Sequence, residues 1–304
     1  MTTLEEPKMT QNMLWPWRIK ETMKVSIAIP CYEMKGHGAE NLSYALESIA
    51  KQTYKNIEVI ISDHSSDSKI EELCEKYSSL LDIKYLKYEY KRGSSSANLN
   101  NCLRNSSGDI IKILFQDDYL YNKNAIRNIV KEFDRDTYWL VTSFYQTYDR
   151  KHLFRHSDPY LTNTLLYRNS MGPPSGLSMI NKDVLYFDED LLWWMDTDYY
   201  KRLYDRFGLP KIVTKPTFVN LLWDGQVSNT SAKSEDLREA EYEYLIFRKH
   251  AHLPMCLPGG ADIYEPTDNG YRARKIMQKI YNLLRNKLHF SGRLDRYTKI
   301  NNTK

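Results

Sequence analysis

The sequence predicts an α/β fold in which helices flank a largely parallel sheet. The first observation is that short apolar stretches alternate with segments of helical periodicity through the first half of the chain. Strands separated by helices of 10–15 residues are typical of right-handed βαβ crossovers, which place successive strands parallel in one sheet. The second observation is that polar residues follow directly after these stretches. Because such sheets bind ligands beyond the carboxyl ends of their strands, we expect the functional residues there.

The elements of the first half are predicted from their periodicity. Apolar or alternating runs give four strands, at 24–30, 57–62, 83–89 and 109–115. Segments with apolar residues three and four positions apart give three helices between them, at 40–52, 68–81 and 95–107. The first helix shows the pattern well, since Leu42, Ala45, Leu46 and Ile49 form one stripe. Gly108 stops the third helix.

The second half is less regular. Residues 147–175 form a long, polar, aromatic-rich connection, and connections of that length inside a domain are usually binding loops or lids. The helix at 195–208 begins with acidic residues and stops at Gly208, as a capped helix does. A Pro/Gly-rich linker occupies 253–270. The other predicted elements are helices at 124–134 and 233–250 and strands at 138–146, 177–180 and 211–223.

Composition excludes several classes of protein. Of the 304 residues, 41% are hydrophobic, which suffices for a sizeable core, and no apolar run approaches the ~20 residues of a membrane-spanning helix. The N-terminus lacks the basic and apolar regions of a secretory signal. The cysteines form no CxxC pair, which argues against a disulfide framework and a structural zinc site. We therefore expect a cytoplasmic protein. The cysteines are Cys31, Cys74, Cys102 and Cys256.

The C-terminal tail is strongly basic. Residues 271–304 contain ten Lys or Arg and one Asp, although the whole chain has a net charge of only +4. Ile276, Ile280, Leu284 and Leu288 share one helical face. Such a helix can pack on the domain, which we favour, or lie peripherally on an anionic membrane surface.

An acidic doublet, Asp117-Asp118, follows the strand at 109–115. Adjacent like charges repel each other unless a cation or a hydrogen-bond network stabilises them. The doublet is therefore either part of a solvated turn or a site for a divalent cation. Carboxylate and phosphate oxygens are the ligands that suit Mg²⁺ and Mn²⁺.

Five segments, in the same order along the chain, resemble the motifs of family-2 glycosyltransferases, which have the GT-A fold. They are "VSIAIPCYE", "NIEVIISDHSSD", "SANLNNCLRNSSGDIIKILFQDD", "FDEDLLWWMDTDYYKRL" and "WDGQVSN". The resemblance covers roughly residues 24–230 and implies a Rossmann-like catalytic domain with a nucleotide-binding half (24–118) and an acceptor-side half (119–230). It leaves an N-terminal extension (1–23) and a helical, basic C-terminal extension (231–304).

The resemblance implies a metal site at the acidic doublet. Asp118 coordinates Mn²⁺ or Mg²⁺, and Asp117 contacts the ribose, a metal-bound water or the metal itself. The family often places a metal-binding His in its late "HxGQxS" loop, but this chain has Trp223 there, followed by Asp224. Either Asp224 takes over as a ligand, or water fills the position, or the affinity for metal is low.

The resemblance also implies a site for the donor nucleotide. Pro30 and Tyr32 form a wall over the base, with Tyr32 stacked on it. Asp63 accepts a hydrogen bond from the base, which favours the imino N–H of uracil or thymine and hence a UDP- or dTDP-linked donor. Glu33 reaches the ribose or is an ordinary charged loop residue, and Arg92 contacts the diphosphate or is solvated.

The general base is expected in the second acidic cluster. The resemblance places it at Asp196, with Met195 in place of the family's preceding Glu. A sugar hydroxyl is a poor nucleophile until a carboxylate takes its proton, and such help is worth roughly 10²–10⁴-fold in rate. Asp198 is expected near the helix start on the acceptor side. The alternative for both residues is that they only cap the helix.

The acceptor side includes three further candidates. Ser175, in "PPSG", is expected to contact donor or acceptor. Trp193 and Trp194 are either platforms for a sugar ring or part of the core.

The sequence is thus identified as a metal-dependent, inverting glycosyltransferase that moves a sugar from a UDP- or dTDP-sugar to a hydroxyl of a glycan or glycolipid. The alternatives are a nucleotidyltransferase of the same fold, which would need more phosphate-binding cations after the first strand, and a non-catalytic protein that binds sugar or nucleic acid. No specific nucleic-acid partner is expected.

Overall fold

The computed structural model describes residues 23–162, 165–166, 169–226, 229 and 234–245. The predicted basic helix of the tail and the linker before it lie outside these residues, as does nearly all of the predicted N-terminal extension. Within the described ranges, no helix has the length and apolar character needed to cross a membrane.

The first half forms the parallel arrangement that the sequence predicts. Its strands are ordered β3-β2-β1-β4, and every neighbouring pair is parallel. The strands are β1 (Val25–Cys31), β2 (Ile57–Asp63), β3 (Asp82–Lys87) and β4 (Ile110–Ile113). The helices between them are α1 (Gly38–Ala50), α2 (Lys69–Tyr77) and α3 (Ser95–Asn105).

The second half extends the same sheet with both parallel and antiparallel pairs. The full order is β3-β2-β1-β4-β8-β6-β9-β5, and β7 pairs with β6 at the side. The pair β6-β9 is parallel and long, whereas β4-β8, β6-β8, β6-β7 and β5-β9 are antiparallel. The strands are β5 (Tyr119–Leu120), β6 (Trp139–Thr147), β7 (Leu153–Ser157), β8 (Leu177–Ile180) and β9 (Lys211–Leu221). The helices are α4 (Ala125–Glu132), α5 (Met195–Phe207) and α6 (Glu235–Glu243).

The predicted α/β class with a largely parallel sheet is confirmed, but two strands were not predicted. The connection 147–175 contains β7, whose residues are mostly exposed and show no alternation of apolar and polar side chains. It forms because its backbone pairs with the edge of β6, which a local sequence pattern does not reveal. β5 has only two residues and was missed for that reason.

The sheet separates two apolar layers. In β1, Val25, Ile27 and Ile29 face one layer, which α1, α2 and α4 cover. Ala28 faces the other layer, which α3 and α5 cover. Since side chains alternate along a strand, one strand contributes to both layers.

The carboxyl ends of the central strands lie side by side. Cys31 at the end of β1 pairs with Asp63 at the end of β2, and Asp63 pairs with Lys87 at the end of β3. The register therefore gathers the residues that follow these strands at one edge of the sheet, where parallel α/β sheets bind ligands.

Candidate active site

One cleft at this edge brings together both predicted acidic clusters. Of the predicted site residues, those that line it are Pro30, Tyr32, Arg92, Asp117, Asp118, Trp193, Trp194 and Asp196. Those that do not line it are Glu33, Asp63, Ser175, Asp198 and Asp224.

Asp118 lies at the floor of the cleft and is 1% exposed. Its Oδ1 accepts hydrogen bonds from Asn220 Nδ2 (2.9 Å) and from the backbone N–H of Leu221 (3.2 Å), both from β9. Burial, followed by the nearby charge of Asp117, raises the pKa of Asp118 to about 8. The site therefore disfavours the charged form of the carboxyl group unless a cation compensates its charge.

Asp117 is held by the residue that replaces the family's His. Trp223 Nε1 donates a 3.1 Å hydrogen bond to Asp117 Oδ2. Burial raises the pKa of Asp117, and the hydrogen bond from Trp223 and the charge of Arg150 oppose this increase. The indole therefore orients the carboxylate but offers no ligand atom to a metal, because its nitrogen only donates.

The acidic doublet fits a divalent cation that takes its remaining ligands from phosphate and water. Mg²⁺ in particular is commonly held by one or two carboxylates together with substrate phosphates. Two adjacent, poorly solvated carboxyls supply that donor set, and a cation would relieve their repulsion. In the described part of the chain, no cluster of three or more His, Cys, Asp or Glu residues could form a protein-only metal cage. Asp224 is exposed and lies outside the cleft.

Lys112 is a buried lysine close to Asp118. It lies in the middle of β4, is fully buried, and donates a hydrogen bond to the backbone carbonyl of Ser175. Burial lowers the pKa of Lys112 to about 7, and attraction to Asp118 opposes this. A single Lys within the apolar run of β4 was the sequence feature that could have revealed it.

Ser175 lies below the cleft surface and forms hydrogen bonds with Phe115 and Asp118. Its Oγ accepts a hydrogen bond from the N–H of Phe115 (2.9 Å), and its side chain also bonds to Asp118. The residue is fully buried. The contact of Ser175 with donor or acceptor therefore stays a prediction, whereas its support of Asp118 follows from the structure.

Gln116 fixes the loop that carries Tyr32. Its Oε1 accepts from the N–H of Tyr32 (2.9 Å), and its Nε2 donates to the carbonyls of Tyr32 (3.1 Å) and Gly38 (2.7 Å). A Cβ on Gly38 would lie 2.3 Å from the Tyr32 carbonyl oxygen, so only glycine permits this close approach. Gln116 precedes the acidic doublet in the sequence, and no role was predicted for it.

Asp63 lies behind the wall of the cleft and is fully buried. Its Oδ2 accepts from Tyr85 Oη (2.8 Å) and Lys87 Nζ (3.3 Å), and its Oδ1 accepts from the N–H of Ser65 (2.8 Å). The predicted contact between Asp63 and a base stays a prediction, and it would require the base to reach a fully buried carboxylate.

His64 and Asn98 reach the cleft close to Asp63. The backbone carbonyl oxygen of Cys31 accepts hydrogen bonds from the backbone N–H of His64 (2.9 Å) and from Nδ2 of Asn98 (2.8 Å). A carbonyl oxygen can only accept a hydrogen bond, so the Asn98 amide must point its Nδ2 at Cys31 and its Oδ1 away from it. Oδ1 is buried and has no hydrogen-bond partner among the described residues. Burial, with the charge of Arg92, lowers the pKa of His64 and favours the neutral ring.

Arg92 lies at the rim and folds back on the β2 loop. Its Nε donates to the carbonyl of His64 (2.7 Å), and another nitrogen donates to the carbonyl of Ser65. It still lines the cleft, so a contact with diphosphate remains a prediction. Glu33 lies away from the cleft, 3.4 Å from the hydroxyl of Ser66.

Asp196 is the second residue of α5 and faces the cleft. Its Oδ2 accepts from Asn169 Nδ2 (2.6 Å), and its Oδ1 accepts from the N–H of Thr197 (2.8 Å). Burial raises the pKa of Asp196 to about 6, and the carboxylate of Glu241 contributes a smaller increase. Asp196 is thus ionised at neutral pH and more basic than an ordinary Asp, as a general base requires.

The neighbours of Asp196 have structural partners. Asp198 is fully buried and pairs with Arg202 (2.8 Å), so it is not brought into the cleft. The guanidinium of Arg238 lies 3.8 Å from the ring centre of Trp193. Trp194 Nε1 donates to the carbonyl of Arg238 (3.3 Å). Both tryptophans line the cleft, but α6 covers part of their surface.

Known proteins similar to this chain are glycosyltransferases. Glycosyltransferase GlyA of Streptococcus pneumoniae is 30% identical over 111 residues, which cover 36% of this chain and 15% of GlyA. The poly(ribitol-phosphate) beta-N-acetylglucosaminyltransferase TarS of Staphylococcus aureus is 28% identical over 115 residues, 37% of this chain and 19% of TarS. The chain therefore corresponds to a minor part of both relatives.

The fold also matches a solved structure. The S. aureus TarS fragment 1-349, crystallised in complex with UDP-GlcNAc, superposes with a TM-score of 0.59 and 22% identity, over 74% of this chain and 65% of that chain. At this identity the similarity shows a shared fold. The sequence pattern of the family described as "Glycosyl transferase family 2" matches residues 26–203, more than half of the chain. The protein therefore belongs to glycosyl transferase family 2.

Proposed function

We propose that the protein transfers a sugar from a UDP- or dTDP-linked donor to a hydroxyl group of a glycan or glycolipid, with inversion at the anomeric carbon. The observation that carries the proposal is the placement of two acidic sites, Asp117-Asp118 and Asp196, in one cleft. The first suits a cation that neutralises a diphosphate, and the second has the pKa of a general base.

The donor side is assigned to the strand ends of the nucleotide-binding half. Tyr32, fixed by Gln116, offers an aromatic face for the base, and Asp117 is available to the ribose. The TarS structure with UDP-GlcNAc shows that a protein of this fold binds a uridine donor, which supports the choice of UDP. The buried amide oxygen of Asn98 suits an N–H of the base.

Asp118, with Asp117, would hold Mn²⁺ or Mg²⁺. When bound, the cation would supply positive charge to the diphosphate as the bond to the anomeric carbon breaks. The protein contributes the two carboxylates, the β9 donors from Asn220 and Leu221 that orient Asp118, and the indole of Trp223 that orients Asp117.

Asp196 would act on the acceptor. The acceptor oxygen forms a bond to the anomeric carbon while its proton passes to a carboxylate oxygen of Asp196, and the diphosphate leaves with the electron pair of the broken C–O bond. A single displacement of this kind inverts the anomeric configuration. Asn169 orients Asp196 by a 2.6 Å hydrogen bond. Aromatic rings at the acceptor side, Trp193 and Trp194, provide faces on which a sugar can stack.

The test is release of free nucleotide from a panel of UDP-, dTDP-, CDP- and GDP-sugars, with and without Mn²⁺ and with mixed glycans as acceptors. We expect turnover of a UDP- or dTDP-sugar only. Asp196→Asn should lower kcat by roughly 10²–10⁴-fold and leave the fold intact. Near-normal turnover of Asp196→Asn would show that Asp196 is not the general base. Absence of turnover with every donor would overturn the proposal.

A further inference from the structure

The turn that leads into α5, residues 192–194, lacks a local side-chain acceptor. The first N–H groups of a helix have no partner within the helix, and a side-chain oxygen from Ser, Thr, Asp or Asn usually accepts one of them. Here the residue before the helix is Trp194, which makes no side-chain cap. The preceding residues, Leu192 and Trp193, also have no side-chain acceptor. Within the helix, Asp196 Oδ1 accepts from the N–H of Thr197, but the N–H groups of the turn at 192–194 depend on another part of the chain.

Glu241 of α6 supplies the missing acceptor. Its Oε1 accepts from the N–H of Leu192 (2.8 Å), and its Oε2 accepts from the N–H groups of Trp193 (2.9 Å) and Trp194 (3.1 Å). The residue is fully buried. A buried carboxylate is costly unless hydrogen bonds compensate it, and the three consecutive N–H groups at 192–194 offset part of that cost. Burial still raises the pKa of Glu241. Both side-chain oxygens accept hydrogen bonds here, which suits a carboxylate, because an amide has only one accepting oxygen.

Other contacts hold α6 and the two residues after it against the segment that precedes α5. The guanidinium of Arg238 lies over the ring of Trp193, and the hydroxyl of Tyr244 donates to Asp188 Oδ2 (2.9 Å). Leu245 is fully buried in the layer that α5 covers. Glu241 is therefore placed by the packing of the whole helix.

Asp196 follows this turn by two residues. Its carboxylate takes its position from the start of α5 and from Asn169. A catalytic group must be held to within a fraction of an ångström for efficient proton transfer, so the turn before it is critical. Glu241 also places a second negative charge near Asp196.

We propose that Glu241 is a positioning residue for Asp196: its carboxylate fixes the turn at 192–194 and thereby aims the general base at the acceptor. The proposal rests on the proposed function, in which Asp196 is the base. It makes α6, which lies beyond the segment that matches the family, a necessary part of the active site.

The test uses Glu241→Gln and Glu241→Asp, with UDP-GlcNAc, or the UDP-sugar that the panel selects, as donor. Glu241→Gln keeps the size but removes the charge and turns an N–H₂ group towards one of the N–H donors. Glu241→Asp keeps the charge but shortens the reach. Glu239→Gln is the matched control, because Glu239 is exposed on the same helix and does not line the cleft.

Both variants should lower kcat about 10-fold to 100-fold while the KM of the donor changes less than about threefold, since only the base is displaced. In Glu241→Gln the acidic limb of the pH profile should also move to lower pH, because a neighbouring negative charge is lost. In Glu241→Asp that limb should stay in place. Glu239→Gln should resemble the wild type.

The outcomes separate the two proposals. If Asp196→Asn is inactive but both Glu241 variants keep wild-type kcat, the positioning role is wrong and the proposed function stands. If the Glu241 variants lose melting temperature but retain kcat per folded molecule and an unmoved pH limb, Glu241 is only structural and the inference is likewise wrong. If the wild type transfers no sugar, the proposed function itself fails.

Discussion

Trp223 Nε1 lies 3.1 Å from Asp117 Oδ2 and donates a hydrogen bond to it. The indole occupies the position at which related sequences often have a metal-binding His. The indole donates a hydrogen bond and offers no ligand atom, so a metal ion bound at the proposed site would depend on the acidic doublet and on the substrate. This relationship has a direct consequence for metal affinity.

Trp223→His should strengthen metal binding. An imidazole adds a neutral nitrogen ligand of a type that Mn²⁺ accepts, and each tenfold gain in affinity corresponds to about 1.4 kcal/mol. We expect the dissociation constant for Mn²⁺ in the presence of UDP to fall at least about tenfold, measured by titration calorimetry. Trp223→Phe, which has neither ligand nor donor, is the control and should not bind Mn²⁺ more tightly. Equal affinities in all three proteins would show that position 223 does not approach the metal.

Asp118→Asn should remove the effect of metal on nucleotide binding. The amide keeps the shape of the side chain but loses the negative charge that holds a cation. In the wild type, Mn²⁺ should raise the melting temperature observed with UDP, because a ligand that binds only the folded state stabilises it. In Asp118→Asn, UDP should give the same melting temperature with Mn²⁺ and with EDTA. A full metal response in this variant would place the cation elsewhere.

The pH dependence of kcat/KM should reflect the ionisation of Asp196. A general base works only when ionised, and the pKa of Asp196 is raised to about 6. Activity should therefore rise about tenfold per pH unit below that pKa and level off above it. Saturating Mn²⁺ must be present throughout, so that the acidic doublet stays ionised. A profile that remains flat down to the pKa of an ordinary Asp would contradict the raised pKa.

Asn98→Ala should weaken binding of UDP. The buried Oδ1 of Asn98 has no partner in the described residues, and a hydrogen bond from a bound nucleotide would satisfy it. Its loss should cost about 1–3 kcal/mol, or roughly 5-fold to 150-fold in affinity. Asn101→Ala is the matched control, because Asn101 lies on the same helix but bonds to Ser62 Oγ (2.9 Å) and does not line the cleft.

A modified ligand identifies the atom involved. UDP methylated at N3 of uracil lacks the imino N–H. If Asn98 accepts a hydrogen bond from that N–H, methylation should weaken the binding of UDP to the wild type and to Asn101→Ala. It should have little further effect on the binding of UDP to Asn98→Ala. The same loss in all three proteins would assign the imino N–H to another residue, with Asp63 as the first candidate.

The fold was largely predictable because its patterns are local. The alternation of side chains in β1 and the apolar stripe of α1 follow from the periodicities of strand and helix, which short windows of sequence reveal. The same windows failed at β7, whose exposed residues have no apolar face. The motifs in the sequence also identified Asp117, Asp118 and Asp196 as candidate site residues, and the structure brings these three residues into one cleft.

The sequence by itself determined the class of the fold, the position of the acidic residues at strand and helix ends, and the family. Only the tertiary structure decided which partners those residues have. Asp63 lies behind the cleft wall because Tyr85 and Lys87 hold it, and the turn before Asp196 is capped by Glu241 from 47 to 49 residues away. The burial of these polar side chains and their hydrogen bonds depend on contacts between distant segments, which the local periodicity of a chain does not encode.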